Sequence, residues 1–196
     1  SWETAEDTTL EARVVTLEEA MARKYQTTRT ILPTSPEALG TALGAWSLSL
    51  PSDGTWPVAN LAVFFPFHLD QPVEVRQMFW LNGGVIGSSG DIGLYNAAGQ
   101  LLWSQGGVAQ AGLSVPQKFN VPGVLLEPGD YYMAMVLNAA AAGQISRSLL
   151  ASPFIQSVGG QQMSTAYPLP EKATFTAITG TTGVPVFGFT SQAILI

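Results

Sequence analysis

The chain has 196 residues, of which 11% are charged and 46% are hydrophobic, and its formal net charge is −6. It is too apolar and too aromatic for an intrinsically disordered protein, and its eight Lys and Arg residues do not supply the basic surface that nucleic-acid binding needs. The absence of Cys excludes a disulfide scaffold.

The sequence shows no signal-peptide pattern and no transmembrane helix. Its beginning is acidic, with Glu3, Glu6 and Asp7, and lacks the apolar run of a secretory signal. The uncharged stretches 92–117 and 173–196 are interrupted throughout by Gly and by polar residues, unlike a membrane-spanning helix. We therefore expect no membrane insertion, and either a soluble protein or a subunit of an assembly.

Residues 1–32 are predicted to form an N-terminal helix with a narrow apolar seam. Charge is concentrated in this part, because residues 1–37 hold 11 of the 22 charged side chains. Acidic residues crowd the first turns, where the helix dipole favours negative charge, and Arg23 and Lys24 lie near the other end. The apolar residues recur at heptad spacings of four, three and four, at Leu10, Val14, Leu17 and Met21.

Two arrangements are compatible with this seam. The helix can pack on the body of its own chain, or it can form a short parallel coiled coil that joins three identical chains. We favour the coiled coil, because the stripe is narrow and a Pro-containing linker separates the segment from the body. Two or three heptads are marginal on their own, so the body would also have to associate.

Residues 33–58 are predicted to form an extended arm. Proline fixes φ and removes a hydrogen-bond donor, and four prolines are spread through this stretch: Pro33, Pro36, Pro51 and Pro57. The residues between them, 38–46, are uncharged and too apolar for a free linker. We expect Leu39, Leu43 and Trp46 to pack either on the body of the same chain or on a neighbouring subunit.

Residues 59–196 are predicted to form a body of antiparallel β-strands. The runs are short, rich in Val, Phe, Tyr and Trp, and bounded by Gly, Pro, Asn or Asp. Turn signals recur about every ten residues, which favours a sandwich over alternating α/β units. The predicted fold is mainly β, an antiparallel β-sandwich of jelly-roll type preceded by a short helix and an extended arm. The predicted strands span 61–69, 73–81, 92–96, 101–103, 117–121, 124–126, 131–138, 174–178, 186–189 and 192–196.

One stretch of the body does not follow a strand pattern. Residues 152–172 contain GlyGlyGlnGln and ProLeuPro and show no clean period. A loop of this length in a compact domain is usually functional or part of an interface. We expect this stretch to be a functional loop or an interface element.

Two stretches of the body resemble the β-sandwich modules of tailed-phage virion proteins. They are AspIleGlyLeuTyrAsnAlaAlaGlyGlnLeuLeuTrpSer (91–104) and LeuGluProGlyAspTyrTyrMetAlaMetVal (126–136). The segment ThrLeuGluAlaArgValValThrLeuGluGlu (9–19) resembles the short trimeric coiled coils that precede the heads of tail fibres, head fibres and capsid decoration proteins. The resemblance covers about a third of the chain and implies a scaffold and a trimer, but it transfers no binding residue.

Residue types that carry enzyme chemistry are scarce. The chain has one His, His68, and no Cys, so a zinc site lacks ligands. Asp53, Asp91 and Asp130 lie at turns or beside Gly, where Asp is common for conformational reasons. The loop GlySerSerGly (87–90) is not a nucleophile elbow. We therefore expect no enzyme activity, no metal and no cofactor.

Aromatic residues are the other candidates for ligand binding. Four of them are candidates for stacking on sugar rings: Trp56, Trp80, Trp103 and Tyr95. The alternative, which we favour, is that these rings fill the core of the sandwich or an interface between subunits, where their large area stabilises packing.

The low charge of the body leads to a functional prediction. Residues 38–196 share 11 charged side chains, fewer than a soluble monomer of this size normally exposes. The sequence therefore predicts a homotrimeric phage virion protein, a capsid decoration (cement) or head-fibre protein, which assembles in the host cytoplasm and binds the major capsid protein. One alternative is a receptor-binding tail-fibre head that recognises host-surface glycans. A second is a secreted, monomeric carbohydrate-binding module.

Overall fold

A computed structural model describes residues 28–31, 52–148, 152–180 and 183–193. The predicted helix seam and the arm residues Leu39, Leu43 and Trp46 lie outside these ranges. Within them the elements are β1 (Thr28–Ile31), β2 (Ser52–Thr55), β3 (Ala62–Leu69), β4 (Val73–Leu81), β5 (Ser89–Asn96), β6 (Leu101–Ser104), β7 (Val108–Ala109), β8 (Pro116–Leu126), β9 (Gly129–Leu137), β10 (Gln144–Ser148), α1 (Ser152–Ser157), β11 (Gln161–Met163), β12 (Thr176–Ala177), β13 (Val184–Pro185) and β14 (Phe187–Ala193).

The strands form two large sheets and one small sheet. One large sheet has the order β1-β14-β4-β8, and the other has the order β12-β11-β3-β9-β5-β6, with β7 also paired to β5. The small sheet has the order β13-β10-β2. All the pairings are antiparallel, and β3 with β9, β4 with β8, and β5 with β6 form nested pairs. This nesting is that of a long hairpin rolled across two sheets, and it confirms the predicted jelly-roll-like β-sandwich.

The main core lies between the two large sheets. Phe65 and Phe67 of β3 face Phe187 and Phe189 of β14, with ring centroids 6.0 and 5.2 Å apart. Valines, methionines and leucines from the facing strands complete this core, as the period-two alternation of half-buried strands requires.

Strand β4 departs from the strict period-two alternation of a half-buried strand. The sequence places Val73 and Val75 on one face and Met78 and Trp80 on the other, but all four are buried in the core. The reason is a β-bulge, since the partner of Val75 is Ser191 while that of Gln77 is Thr190. The extra residue, Arg76, reverses the phase of the alternation. Because of this reversal, Val73 and Val75 before the bulge and Met78 and Trp80 after it all face the core.

The larger sheet is covered on its outer face as well. Phe64, Tyr95 and Val136 point away from the main core and form a second cluster with Ala166 and Leu169 from the stretch after β11. Strands buried on both faces carry nearly continuous apolar runs, which explains AlaValPhePhe in β3 and MetAlaMetValLeu in β9. The stretch 152–172, expected to be a functional loop or an interface element, thus packs within its own chain as a cover for this sheet.

Two strands lie within the segments that precede the predicted body. Residues 28–31, at the end of the predicted helical piece, form β1 and pair with β14. Residues 52–55, inside the predicted arm, form β2 and pair with β10, and Trp56 is 3% exposed. Residues 52–56 at the end of the predicted arm therefore pack on the strands of their own chain.

Candidate functional site

Three uncharged loops meet at one end of the sandwich. They are 82–88 after β4, 105–115 around β7 and 138–143 after β9, and the sequence contains no charged residue in any of them. Antiparallel pairing brings them together, because β4 and β9 end where β5 and β8 begin. Hydrogen bonds join neighbouring loops, from Ser114 N to Gly83 O (3.0 Å), from Gln110 N to Ser88 O (2.9 Å) and from Ser88 Oγ to Ala139 O (3.1 Å). We name these loops the uncharged end.

A network of buried amide side chains supports the uncharged end. Asn82 is fully buried, and its Oδ1 accepts hydrogen bonds from Trp80 Nε1 (2.9 Å) and Gln110 Nε2 (3.1 Å). Its Nδ2 donates to Ala111 O (2.8 Å) and Gln117 Oε1 (3.1 Å). Every polar atom of this side chain is thus used, as a buried amide requires. Such satisfied networks fix the positions of their members, so the loops above are held in one arrangement.

The small sheet is bound to the same network. Asp53 of β2 accepts hydrogen bonds from Gly84 N (2.7 Å) and Ser146 Oγ (3.1 Å). Gln144 of β10 joins it through its backbone, since its carbonyl accepts from Gly83 N (2.9 Å) and its N–H donates to Val85 O (2.8 Å). These bonds attach the loop after β4 to two strands of the small sheet, β2 and β10.

The uncharged end exposes three large aliphatic side chains. Val85, Leu113 and Val115 are 47%, 57% and 46% exposed. Exposed single hydrophobic residues are common, but here three of them lie on hydrogen-bonded loops that carry no charge. Depletion of charged residues is what distinguishes the centre of a protein–protein interface from ordinary surface. The arrangement is suited to contact with another protein surface.

The opposite end of the sandwich is charged. At the end of β3, His68 Nδ1 lies 2.7 Å from Asp130 Oδ1, and His68 Nε2 lies 3.4 Å from Asp70 Oδ1. The hydrogen bond to Asp130 raises the pKa of His68, and the negative charges of the two carboxylates act in the same direction. Close by on β4, Glu74 and Arg76 form an ion pair of 2.6 Å. The uncharged end differs from this end, because its loops carry no charged residue and the carboxylate bound to them, that of Asp53, comes from β2.

Asp91 is a buried carboxylate that holds the outer cover in place. It is 0% exposed and accepts hydrogen bonds from Ser104 Oγ (2.9 Å) and Leu169 N (2.9 Å). Burial raises the pKa of Asp91, and these hydrogen bonds oppose the rise. The hydroxyl of Tyr95 donates to Pro170 O (2.7 Å), beside the bond made by Asp91. Both side chains thus fasten the stretch around 169–170 to β5, which is a structural role.

The candidate sugar-stacking platform, which the sequence analysis did not favour, is not formed by the described rings. Trp80 and Tyr95 are 0% exposed and Trp56 is 3% exposed, so these three rings cannot stack on a sugar. The Trp56 indole donates to Leu61 O (2.8 Å), and the Trp80 ring packs on Phe119 with centroids 4.6 Å apart. Trp103 is half-buried and packs against the main core. These rings are buried because large rings contribute most to stability when a two-sheet core encloses them.

The other predicted site residues lie outside the ranges that the structure describes. The seam residues Leu10, Val14, Leu17 and Met21 and the arm residues Leu39, Leu43 and Trp46 fall outside the described residues. Within the described part, no group of three or more His, Asp or Glu is placed to hold a metal ion. None of the described helices has the length and apolar character needed to cross a membrane.

Sequence reasoning missed the polar residues that organise the uncharged end. Asn82 reads as a turn residue in AsnGlyGly, Gln110 lies in an uncharged run without a pattern, and Gln117 is the first residue of the predicted strand 117–121. One available signal is the alternation TrpLeuAsn at 80–82, because Trp and Asn two positions apart on a strand share a face. The partners of Asn82 come from 28 and 35 residues further along the chain, which no local pattern shows.

No protein-family model and no curated protein matches the chain. Among solved structures, a fucose-binding module from Streptococcus pneumoniae is 11% identical and covers 62% of this chain and 88% of its own, with a TM-score of 0.32. The VP2 subviral particle of infectious bursal disease virus is 9% identical and covers 87% of this chain and 42% of its own, with a TM-score of 0.34. Likenesses at these TM-scores carry no argument about what this chain does.

Proposed function

We propose that this protein is a homotrimeric structural protein of a tailed-phage virion, of the capsid decoration or head-fibre type, which binds its neighbours through the uncharged end. The observation that carries the proposal is the exposure of Val85, Leu113 and Val115 on charge-free loops that a buried amide network holds rigid. The sequence resemblance of 9–19, 91–104 and 126–136 to tailed-phage virion proteins supports the same class. The partners are sister copies and the major capsid protein.

A rigid apolar surface is what an assembly contact needs energetically. Burial of apolar area contributes about 25 cal/mol per Å². That gain is reduced when side chains or loops must be ordered on binding, at about 0.5–1.5 kcal/mol for each immobilised side chain. Because the amide network fixes these loops before contact, little of the gain is lost to ordering.

The test introduces a charge at the proposed contact. We expect Leu113→Asp to weaken self-association of the full chain and its binding to particles, since a buried unpaired carboxylate is strongly unfavourable in an interface. Mass photometry and sedimentation velocity measure the mass of the oligomer, and co-sedimentation with phage particles measures binding to the virion. Leu125→Asp is the matched control, because Leu125 is also half-exposed (50%) but lies on β8 away from the uncharged loops.

Three results separate the possibilities. Loss of association in Leu113→Asp but not in Leu125→Asp would support the uncharged end as the contact. Equal behaviour of the two variants would reject it. A wild-type chain that stays monomeric at high concentration and does not bind particles would reject the whole proposal.

A further inference from the structure

Asn82 and Gly83 form the one Asn-Gly dipeptide of the sequence. In an unfolded chain this dipeptide is prone to deamidation, because no Cβ on the glycine shields its backbone nitrogen from the amide carbon of the asparagine. That nitrogen attacks Cγ of Asn82, the bond between Cγ and Nδ2 breaks, and ammonia leaves with the proton that the glycine nitrogen loses. Water then opens the succinimide ring and gives aspartate or isoaspartate at position 82.

The fold uses both residues of this reactive dipeptide. A Cβ added at Gly83 would lie 2.7 Å from Cβ of Gln144 on β10, so the close approach of the small sheet leaves room only for glycine. The side chain of Asn82 accepts a hydrogen bond from the Trp80 indole and also donates one to Ala111 O. A side-chain amide supplies an acceptor and a donor together. The dipeptide therefore serves packing and hydrogen bonding, despite its reactivity.

The folded chain restrains both reacting groups. The Gly83 N–H donates to Gln144 O at 2.9 Å, which fixes the peptide group that contains the attacking nitrogen. The side chain of Asn82 is 0% exposed, and hydrogen bonds at both Oδ1 and Nδ2 hold its Cγ in place. Ring closure requires these groups to rotate toward each other, and the rotation would break buried hydrogen bonds that water cannot replace. The native arrangement therefore opposes deamidation.

We propose that the dipeptide 82–83 is a deamidation site that is closed in the folded chain and open in the unfolded chain, so that conversion of Asn82 makes unfolding irreversible. In the native structure Nδ2 faces two acceptors, Ala111 O at 2.8 Å and Gln117 Oε1 at 3.1 Å. Aspartate would place a carboxylate oxygen against both acceptors at a fully buried position, which is strongly unfavourable. Isoaspartate would add a methylene to the backbone where residue 82 bridges Ile145. Chemical modification of the unfolded state is a recognised cause of irreversible unfolding.

The experiment compares conversion at position 82 in the folded and the unfolded full-length protein. The protein is incubated in mildly alkaline buffer, with and without a denaturing concentration of guanidinium chloride, and the conversion is followed by peptide mass spectrometry. We expect conversion in the folded protein to be slower by about a hundredfold or more, because only a small fraction of native chains is open at any time. Asn120 is the internal control, since it is exposed and the branched Val121 follows it, and its conversion should be slow in both conditions.

Two variants test whether the amide network supplies the protection. Gln110 Nε2 donates to Asn82 Oδ1 (3.1 Å) and to Gln144 O (3.0 Å), so it restrains both reacting groups. We expect Gln110→Ala to raise the rate of conversion in the folded protein by about tenfold, because opening then breaks fewer buried hydrogen bonds. Gln105→Ala is the matched control, since Gln105 is exposed in the same loop, and it should behave like the wild type. Circular dichroism verifies that both variants are folded, and in denaturant both should convert at the wild-type rate.

Refolding measures the consequence of the conversion. Wild-type chains are held in alkaline denaturant for increasing times and then diluted, and the recovery of native tryptophan fluorescence should fall at the rate at which Asn82 is converted. Chains held for the same times in mildly acidic denaturant, where ring closure is slow, should keep the initial recovery.

Three results would overturn the proposal. They are equal conversion rates in the folded and unfolded protein, conversion of folded Gln110→Ala no faster than that of Gln105→Ala, and full recovery of the native fluorescence by converted chains. None of these measurements depends on whether the uncharged end mediates self-association, so a failure here is distinguishable from a failure of the proposed function.

Discussion

Replacing Asn82 by Leu tests whether the buried amides stabilise the uncharged end. The substitution keeps a side chain of similar size but removes both polar atoms at a position that is 0% exposed. Trp80 Nε1 loses the acceptor 2.9 Å away, and Ala111 O and Gln117 Oε1 each lose a donor. The change therefore acts on hydrogen bonding far more than on volume.

The size of the effect follows from which groups find another partner. Ala111 is exposed, so water can replace the lost donor, and Gln117 Oε1 keeps the bond from Ala111 N at 2.8 Å. The Trp80 indole N–H has no such replacement, because the side chain is fully buried. A buried donor left without an acceptor costs about 1–3 kcal/mol, and each hydrogen bond lost elsewhere about 1 kcal/mol. We expect the free energy of unfolding to fall by about 3 kcal/mol in total.

Urea denaturation followed by tryptophan fluorescence measures this change. A loss of about 3 kcal/mol corresponds to a fall in Tm of roughly 6–12 °C for a domain of this size. Asn120→Leu is the matched control, since Asn120 is exposed and its one side-chain hydrogen bond, from Gln77 Nε2, is 3.3 Å long. That variant should stay within about 0.5 kcal/mol of wild type.

A second substitution identifies the hydrogen bond responsible. Trp80→Phe removes the indole donor, so Asn82→Leu should cost less in that background than in the wild type. The reasoning is refuted if Asn82→Leu is no less stable than Asn120→Leu, or if the two losses at 80 and 82 simply add.

Three further predictions concern titration and packing. His68, the single histidine of the chain, should titrate above 6.5 by NMR because its hydrogen bond to Asp130 raises its pKa, and Asp130→Asn should lower the titration midpoint. The contribution of protonated His68 to stability is complete below pH 6.5 and is lost as the pH rises through the folded-state pKa. Burial raises the pKa of Asp91 above 3.8, so stability should increase as pH falls from the folded-state pKa to 3.8, and urea unfolding of Asp91→Asn should lack this increase. Gly54→Ala would place Cβ 2.0 Å from Arg147 Nε, and because the end of this flexible side chain can move aside, the loss in free energy of unfolding should stay below about 1 kcal/mol; a larger loss in urea unfolding would contradict this reasoning.

Local sequence patterns were sufficient to predict many of the β-strands, but not which side chains of a strand face the core. The sequence predicts strand 73–81 with the observed bounds, because alternation and turn residues are local properties. A strict alternation assigns Met78 and Trp80 to the wrong face. The bulge at Arg76 arises where β4 pairs with β14, so it depends on residues more than 100 positions away. The same limit applies to the stretch 152–172, whose apolar residues follow no period because they cover a sheet from a loop.

The candidate site was predicted only in its general character. The low charge of the body, which is visible in composition alone, predicts a surface that contacts other chains, and this stays a prediction. The location of that surface depends on how the loops at 82–88, 105–115 and 138–143 meet, which antiparallel pairing between distant strands decides. For the aromatic residues the sequence left two assignments open and favoured the core or an interface, and the burial of Trp56, Trp80 and Tyr95 agrees with a core position.

What the sequence by itself determined is the class of fold and the scarcity of charge, since both follow from residue type and short-range spacing. Only the tertiary structure decided which polar residues are buried, which aliphatic residues are exposed, and that the Arg147 guanidinium lies against the Gly54 backbone. The physical reason is that burial and hydrogen-bond satisfaction are properties of pairs of residues far apart in the chain, whereas strand propensity and charge are properties of each residue and its near neighbours.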